Sequence, residues 1–318
     1  MLLAALPAAA MAASCTTQAE LQPQDRNALI AVGTRLMTGI VQQDYSTLQG
    51  QVLPAVAPDW DGMRNEVEQG AALVKGGQPQ LQEIYVLDAS TQTATVDTQF
   101  FCSNASGTLT VTVNMHALPP GKYALLLATT AGAPLAGQIG LVVVWDPTGA
   151  TPAWKIGGIS VRQGAIDGHD GVWYWTKARA QAATGQPWSA WYSYELARYL
   201  LLPVDFLSSP NLEKLLHEQA QIQGQPGPYP MNLQDAARTW KIDGIRIDTT
   251  LRQADLGIMF ESMGIADPAA ARTEAVAVLS AVLKAHPELK QNFHGLWAYA
   301  SRDGKVTPVI ELPMAQIP

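Results

Sequence analysis

The sequence predicts an α+β protein with N-terminal helices followed by a curved antiparallel sheet. A central helical hairpin with a further helix and a small C-terminal β-β-α-β-β domain complete it. Three observations carry this expectation. Apolar residues recur at helical spacing from Gln24 to Gln43, where Leu29, Val32, Leu36 and Ile40 share one stripe. The period then drops to two over six segments between Leu81 and Val161. Past a Pro/Gly-rich stretch that ends at Pro230, alternation returns on both sides of one long helical pattern, Pro268 to Ala285. Helices first and neighbouring strands after is the order of an α+β fold, not of an alternating parallel one.

Asp25 is placed to cap the first helix, Asp44-Tyr45-Ser46-Thr47-Leu48 opens a short second one, and Trp60 to Lys75 forms a third that stops at Gly76-Gly77. Strands follow at Leu81 to Leu87, Ala94 to Phe101, Leu109 to Met115, Lys122 to Ala128, Gly137 to Trp145 and Ala153 to Val161. They are separated by turns such as Leu118-Pro119-Pro120-Gly121 and Asp146-Pro147-Thr148-Gly149.

With 318 residues, 47% of them hydrophobic, the chain has material for about two cored domains. Only 15% are charged and the net charge is −7, a low-charge habit common in exported proteins. That balance offers no concentrated Lys/Arg face and excludes nucleic acid as a partner. The opening run Met1 to Cys15 is apolar, too short to span a bilayer, and ends in small residues that a signal peptidase accepts, so residues 1–15 are expected to be an export signal. No transmembrane helix is expected in the mature chain. Cys15 has competing roles: a disulfide to Cys102, the only other cysteine, or a lipid anchor after Ala12-Ala13-Ser14.

The pair of motifs Asp44-Tyr45 with Leu48, and Pro152-Ala153-Trp154-Lys155-Ile156-Gly157-Gly158-Ile159, resembles the nuclear transport factor 2-like cone fold. The resemblance implies a sheet curled around a pocket, which some members use to bind or isomerise small apolar molecules. Asp97 and Tyr85 are the polar strand residues such a pocket could use, and Asp97 reads better as a solvated strand carboxylate.

Gly168 to Pro203 holds four of the nine tryptophans and four of the nine tyrosines. Ala178, Gly185, Ala190, Tyr194 and Ala197, followed by Pro203, resemble a single tetratricopeptide-like helical hairpin, with Lys177-Ala178 where the repeat has Leu-Gly. No second copy follows, so the hairpin must bury its faces on other parts of the chain or on a partner. Its aromatics read either as packing between domains or as a platform for a carbohydrate or aromatic ligand. His169, Asp170, Trp173, Trp175, Trp188 and Trp191 are the candidate ligand-binding residues, with Asp170 equally suited to cap a helix.

A helix from Pro210 to about Ile222 carries His217-Glu218-Gln219-Ala220-Gln221, but Gln221 stands where a zinc-protease helix needs its second histidine. In the C-terminal part, Asp267 caps the long helix, His286 closes it, and His294 sits beside Trp297 and Tyr299 as a weaker candidate. Arg246 and Asp248 share a strand face, as a surface charge pair would.

No phosphate-binding loop, nucleophile elbow or paired-cysteine metal motif is present. No cofactor and no metal are therefore expected, and the catalytic residues are unknown. The blocks beginning at Gln99, Leu118, Gly168, Asn211 and Phe293 resemble a family of exported proteins of acidobacterial type, a likeness that implies export and brings no activity with it.

The expected organisation is an export signal at 1–15, a cone-like α+β domain at 16–164, and the hairpin with its following helix at 165–223. A linker at 224–236 and an α+β domain at 237–318 complete it. The expected role is that of an exported periplasmic, secreted or envelope-anchored protein acting as a non-enzymatic interaction or ligand-binding body. Its partner would be a protein or a small-molecule ligand. The alternatives are a small-molecule enzyme or carrier using the cone pocket and a carbohydrate-binding module using the hairpin aromatics.

Overall fold

Leu29, Leu36, Met37 and Ile40 line one side of helix α1 (Pro23–Gln42), and each is at most 1% exposed. The computed structural model describes residues 13–149, 151–235, 238–263 and 267–318. The expected export signal therefore lies outside the described residues up to residue 12. The strand β1 (Ser14–Thr17) already overlaps its last two positions.

The chain divides into two compact units: residues up to Gly164 with Leu202–Glu213, and Ala165–Leu201 with Lys214–Pro318. In the first, α1 is followed by α2 (Tyr45–Gly50), where Asp44 accepts the Thr47 N–H at 3.1 Å, and by α3 (Trp60–Val74). The six predicted strands all form: β2 (Gln78–Asp88), β3 (Val96–Ser103), β4 (Leu109–Leu118), β5 (Lys122–Ala131), β6 (Gly137–Asp146) and β7 (Ala153–Gln163). They divide between two sheets. One has the order β1-β2-β5-β6-β7, antiparallel throughout; β3 and β4 belong to the other.

The side chains of Ile84, Leu126, Ile139, Leu141, Val143 and Ile156 mesh with those of α1 and α3, and all six are fully buried. Each such side chain contributes about 1.5–3 kcal/mol. The layer between helices and sheet is thus filled by the protein's own residues. Cys15 on β1 is bonded to the fully buried Cys102 on β3, so a disulfide joins the two sheets. The sulfur that a lipid thioether would need is engaged there.

The second unit opens with a miniature hairpin, β8 (Ala165–Ile166) and β9 (His169–Asp170). Its two-residue turn is Asp167-Gly168, with φ of 52° and 76°, the left-handed pair that Asp-Gly supplies at lowest cost. Asp170 then accepts the Trp173 N–H at 2.8 Å and caps α4 (Gly171–Ala183), which turns at Gly185 into α5 (Pro187–Leu201). Ala178, Ala190 and Ala197 are fully buried, as the close approach of two helices requires. Tyr174, Trp188, Tyr192 and Tyr194 enter the same hydrophobic core as Trp240, Leu256, Phe260, Val278 and Leu296. The aromatic hairpin and the C-terminal sheet share one core.

The chain returns to the first unit at β10 (Leu207–Ser208), which pairs with β4, and continues into α6 (Pro210–Ala220). Within the segment expected to be linker, Met231–Gln234 forms β11 and pairs with β12 (Thr239–Asp248). The C-terminal sheet runs β11-β12-β13-β14-β15, with β13 (Asp255–Glu261), β14 (Gly295–Arg302) and β15 (Lys305–Pro313). Between β13 and β14 lie α7 (Pro268–Ala285), capped by Asp267 onto the Ala269 N–H, and the short α8 (Leu289–Asn292). That crossover makes β13 and β14 the parallel pair in an otherwise antiparallel sheet. Val278, Leu279 and Val282 of α7 pack on the face formed by Leu256, Ile258, Leu296 and Ala298. The protein is α+β, and among the described residues no helix is long and apolar enough to cross a membrane.

Candidate functional site

Alternate residues of a strand share a face, so the register of the C-terminal sheet defines its second side. Asp248, Asp255, Gly295 and Pro313 form one row across it, and Arg246, Gly257, Trp297 and Glu311 the next. This face carries carboxylates and aromatic rings where the other carries leucine and isoleucine.

His294 stands at its rim, one residue before β14. Its backbone is fixed on both sides, donating to the Ala254 carbonyl and accepting from the Met314 N–H, each at 2.9 Å. The imidazole Nδ1 lies 3.0 Å from Oδ1 of Asp255, a carboxylate with no solvent exposure, while Oδ2 of Asp255 accepts the Trp297 indole N–H at 3.3 Å. The β8–β9 turn steadies this corner, since Oδ2 of Asp167 accepts the Ala254 N–H at 3.2 Å.

In the adjoining position, Asp248 accepts the Tyr299 hydroxyl at 2.5 Å and the Thr250 N–H at 3.0 Å, and the Arg246 guanidinium lies 5.2 Å from the Tyr299 ring centre. Asp248 is only 5% exposed. The expectation of a surface charge pair with Arg246 is corrected: this carboxylate points into the face and spends its oxygens on Tyr299 and the following turn.

Glu311 completes the group. Its Oε1 is buried and has no hydrogen-bond partner among the described residues. A Cβ added to Gly295 would stand 2.8 Å from that oxygen and 3.2 Å from Asp255 Oδ1, so the absence of a side chain there lets the two carboxylates converge. One donor atom each from Asp255, His294 and Glu311 falls within 4.8 Å of the others.

Burial raises the pKa of Asp255 above the usual carboxylate value, more than the bonds from His294 and Trp297 lower it, and the charge of Asp248 adds to the rise. Glu311 is raised by burial and then by the charge of Asp255. Tyr299 is pushed up to about 12 by burial and by its bond to Asp248. The centre is rich in acceptors.

The six ligand-binding candidates from the hairpin divide among separate contacts. His169 stacks on Trp173 at 3.6 Å between ring centres, Lys177 Nζ lies 5.3 Å from that indole, and Asp170 is engaged as the α4 cap. Trp175 donates to Glu218 at 2.7 Å. Trp188 is 6% exposed and stacks on His286, and half-buried Trp191 packs against the core. Of the four indoles only Trp173 is exposed. A groove of about 720 Å³ runs beside the hairpin, lined by Arg179, Tyr194, His217 and Glu218 among others. Glu218 is already saturated there by Arg179, Trp175 and Tyr194. In the first unit, the Asp97 carboxylate is exposed, accepts the Ala117 N–H and lies 3.4 Å from His116, while Tyr85 is buried.

The sequence pointed to His294 through its aromatic neighbours and missed Asp255 and Glu311. Glycine inside two strands, Gly257 and Gly295, was the available signal of a close approach.

No family model matches the chain, and neither the curated proteins nor the solved structures yield a significant match.

Proposed function

We propose that this chain is an exported, non-enzymatic ligand-binding protein whose C-terminal unit takes up a positively charged ligand on the polar face of its sheet. The observation that carries the reading is the convergence of two buried or half-buried carboxylates, Asp255 and Glu311, with an oxygen of Glu311 left without a hydrogen-bond partner among the described residues. Buried carboxylates of this kind are ordinarily paired or coordinated. A single imidazole 3.0 Å from Asp255 supplies at most one positive charge to the pair. Export is supported by the disulfide in a chain with two cysteines, which suits an oxidising compartment.

The test is thermal denaturation of the full chain with a panel of sugars, carboxylic acids, organic amines and metal cations. Cationic ligands are expected to raise the melting temperature and neutral or anionic ones to leave it unchanged, with the response lost in Glu311→Gln. A response confined to sugars, no response at all, or a cation response that persists in Glu311→Gln overturns the reading.

A further inference from the structure

We infer that the centre formed by Asp255, His294 and Glu311 is a binding site for one divalent first-row transition-metal ion. The inference rests on the proposal that this face takes a cation, and it names the cation.

The donor set is one imidazole nitrogen and two carboxylate oxygens. Mixed nitrogen and oxygen ligation suits zinc and manganese, whereas calcium seeks six to eight oxygens and magnesium keeps most of its water. The spacing agrees with an atomic ion. Ligand atoms about 2.1 Å from a common metal lie roughly 3.0 Å apart in octahedral and 3.4 Å apart in tetrahedral geometry. The 3.0 Å between His294 Nδ1 and Asp255 Oδ1 already meets this. The full set lies within 4.8 Å, so it closes by a swing of the Glu311 carboxyl of at most about 1.5–2 Å. Among the described residues, no hydrogen bond holds that group at Oε1.

Four features distinguish this centre from a chance meeting of acids. The three donors come from separate segments, each anchored by backbone pairing at the ends of β13, β14 and β15. Trp297 holds the second oxygen of Asp255, the outer contact that orients a ligating carboxylate. Gly295 keeps clear the space between the two carboxylates, where a Cβ would collide. The imidazole is 35% exposed, which gives an ion a route in and leaves room for water beside the three protein ligands.

The experiment uses untagged full-length protein stripped with a chelator and titrated with zinc, manganese and calcium by calorimetry, with total tryptophan fluorescence, to which Trp297 contributes, read in parallel. Zinc or manganese is expected to bind at one equivalent per chain and to change the fluorescence, with calcium at least tenfold weaker. His294→Gln and Glu311→Gln are each expected to weaken binding tenfold or more. Asp255→Asn removes a fully buried group and can fail to fold, so the two more exposed positions carry the test, with circular dichroism to establish folding. Gly295→Ala, if folded, is expected to weaken binding as well. The inference is overturned if folded wild-type protein binds neither zinc nor manganese, or if both Gln variants bind as tightly as wild type. Should organic amines stabilise the protein through Glu311 while metals do not, the metal assignment fails and the cation-binding reading stands. If neither acts, both fail.

Discussion

The imidazole of His286, at the C-terminus of α7, lies flat on the indole of Trp188 in α5, with 3.4 Å between ring centres and 14° between planes. Burial against the indole lowers the His286 pKa to about 4. Glu288 lies 3.9 Å away, the outer edge of an ion pair, and does not offset the burial. An unfolded histidine takes a proton near pH 6.5, so between pH 6.5 and 4 the unfolded chain holds more protons than the folded one. Stability should be flat above this window and fall as pH drops through it, by at most about 3 kcal/mol from this residue. His286→Phe keeps a stacking ring without a titrating nitrogen. Urea denaturation at pH 7 and pH 4.5 should show a smaller loss in the variant; an equal loss would rule this origin out.

Glu218 works in a lower window. Its carboxylate receives two bonds from Arg179, at 2.7 and 2.8 Å, one from the Trp175 indole and one from the Tyr194 hydroxyl. Arg179 first, and then Trp175 and Tyr194 against the opposing cost of burial, hold its pKa at about 2. The folded pKa is depressed, so the stabilisation is complete above pH 4.5 and is lost as pH falls toward 2. Glu218→Gln should cost about 1–3 kcal/mol at pH 7 and progressively less at pH 3.5, where wild type has begun to lose the same interactions. A deficit that stays constant with pH would assign the cost to packing.

These contacts also show what could be read from the chain alone. The stripe of Leu29, Leu36 and Ile40 and the run from Pro268 to Ala285 became helices because periodicity and caps are local properties. The two-residue strands β8, β9 and β10 have no period to detect, and the four-residue β11 directly follows the Pro/Gly-rich stretch. The candidate site fails to show for a different reason. Asp255 and His294 are 39 residues apart, and they meet only through the parallel β13–β14 register that α7 creates. Register is a tertiary property, so His294 was visible as an odd residue among aromatics while its partners were not. The hairpin aromatics left two readings open, packing and ligand binding. Their density reflects a shared core with the C-terminal sheet, and core packing and ligand stacking draw on the same residue types.

The Cys15–Cys102 bond closes a loop across a sequence separation of 87. In the chain-entropy model, a loop of that length stabilises the fold by about 4–5 kcal/mol. Reduction, or the double variant Cys15→Ser with Cys102→Ser, should lower the urea midpoint accordingly, with the double variant insensitive to reductant. Equal midpoints with and without reductant in wild type would show that the bond contributes nothing. Mass spectrometry of protein recovered from its native compartment should give the mass of an unlipidated, oxidised chain.

The glycines of α3 allow a paired experiment in which two effects oppose. Replacing a helical glycine with alanine gains up to about 1 kcal/mol by restricting the unfolded backbone. At Gly62 nothing lies within 4 Å of the new Cβ, so Gly62→Ala should stabilise by about 0.5–1 kcal/mol. At Gly70 the Cβ would stand 2.3 Å from Cγ1 and 2.4 Å from Cβ of Val161, with the Val161 carbonyl at 3.3 Å. Val161 is a branched residue fixed on β7, and its own Cβ cannot rotate away. Overpacking of this kind costs about 1–3 kcal/mol and adds to the movement needed to relieve it. The clash should win, making Gly70→Ala destabilising in the same helix where Gly62→Ala stabilises. Denaturation midpoints that move in the same direction for both variants would mean that α3 does not approach β7 as closely as Gly70 permits.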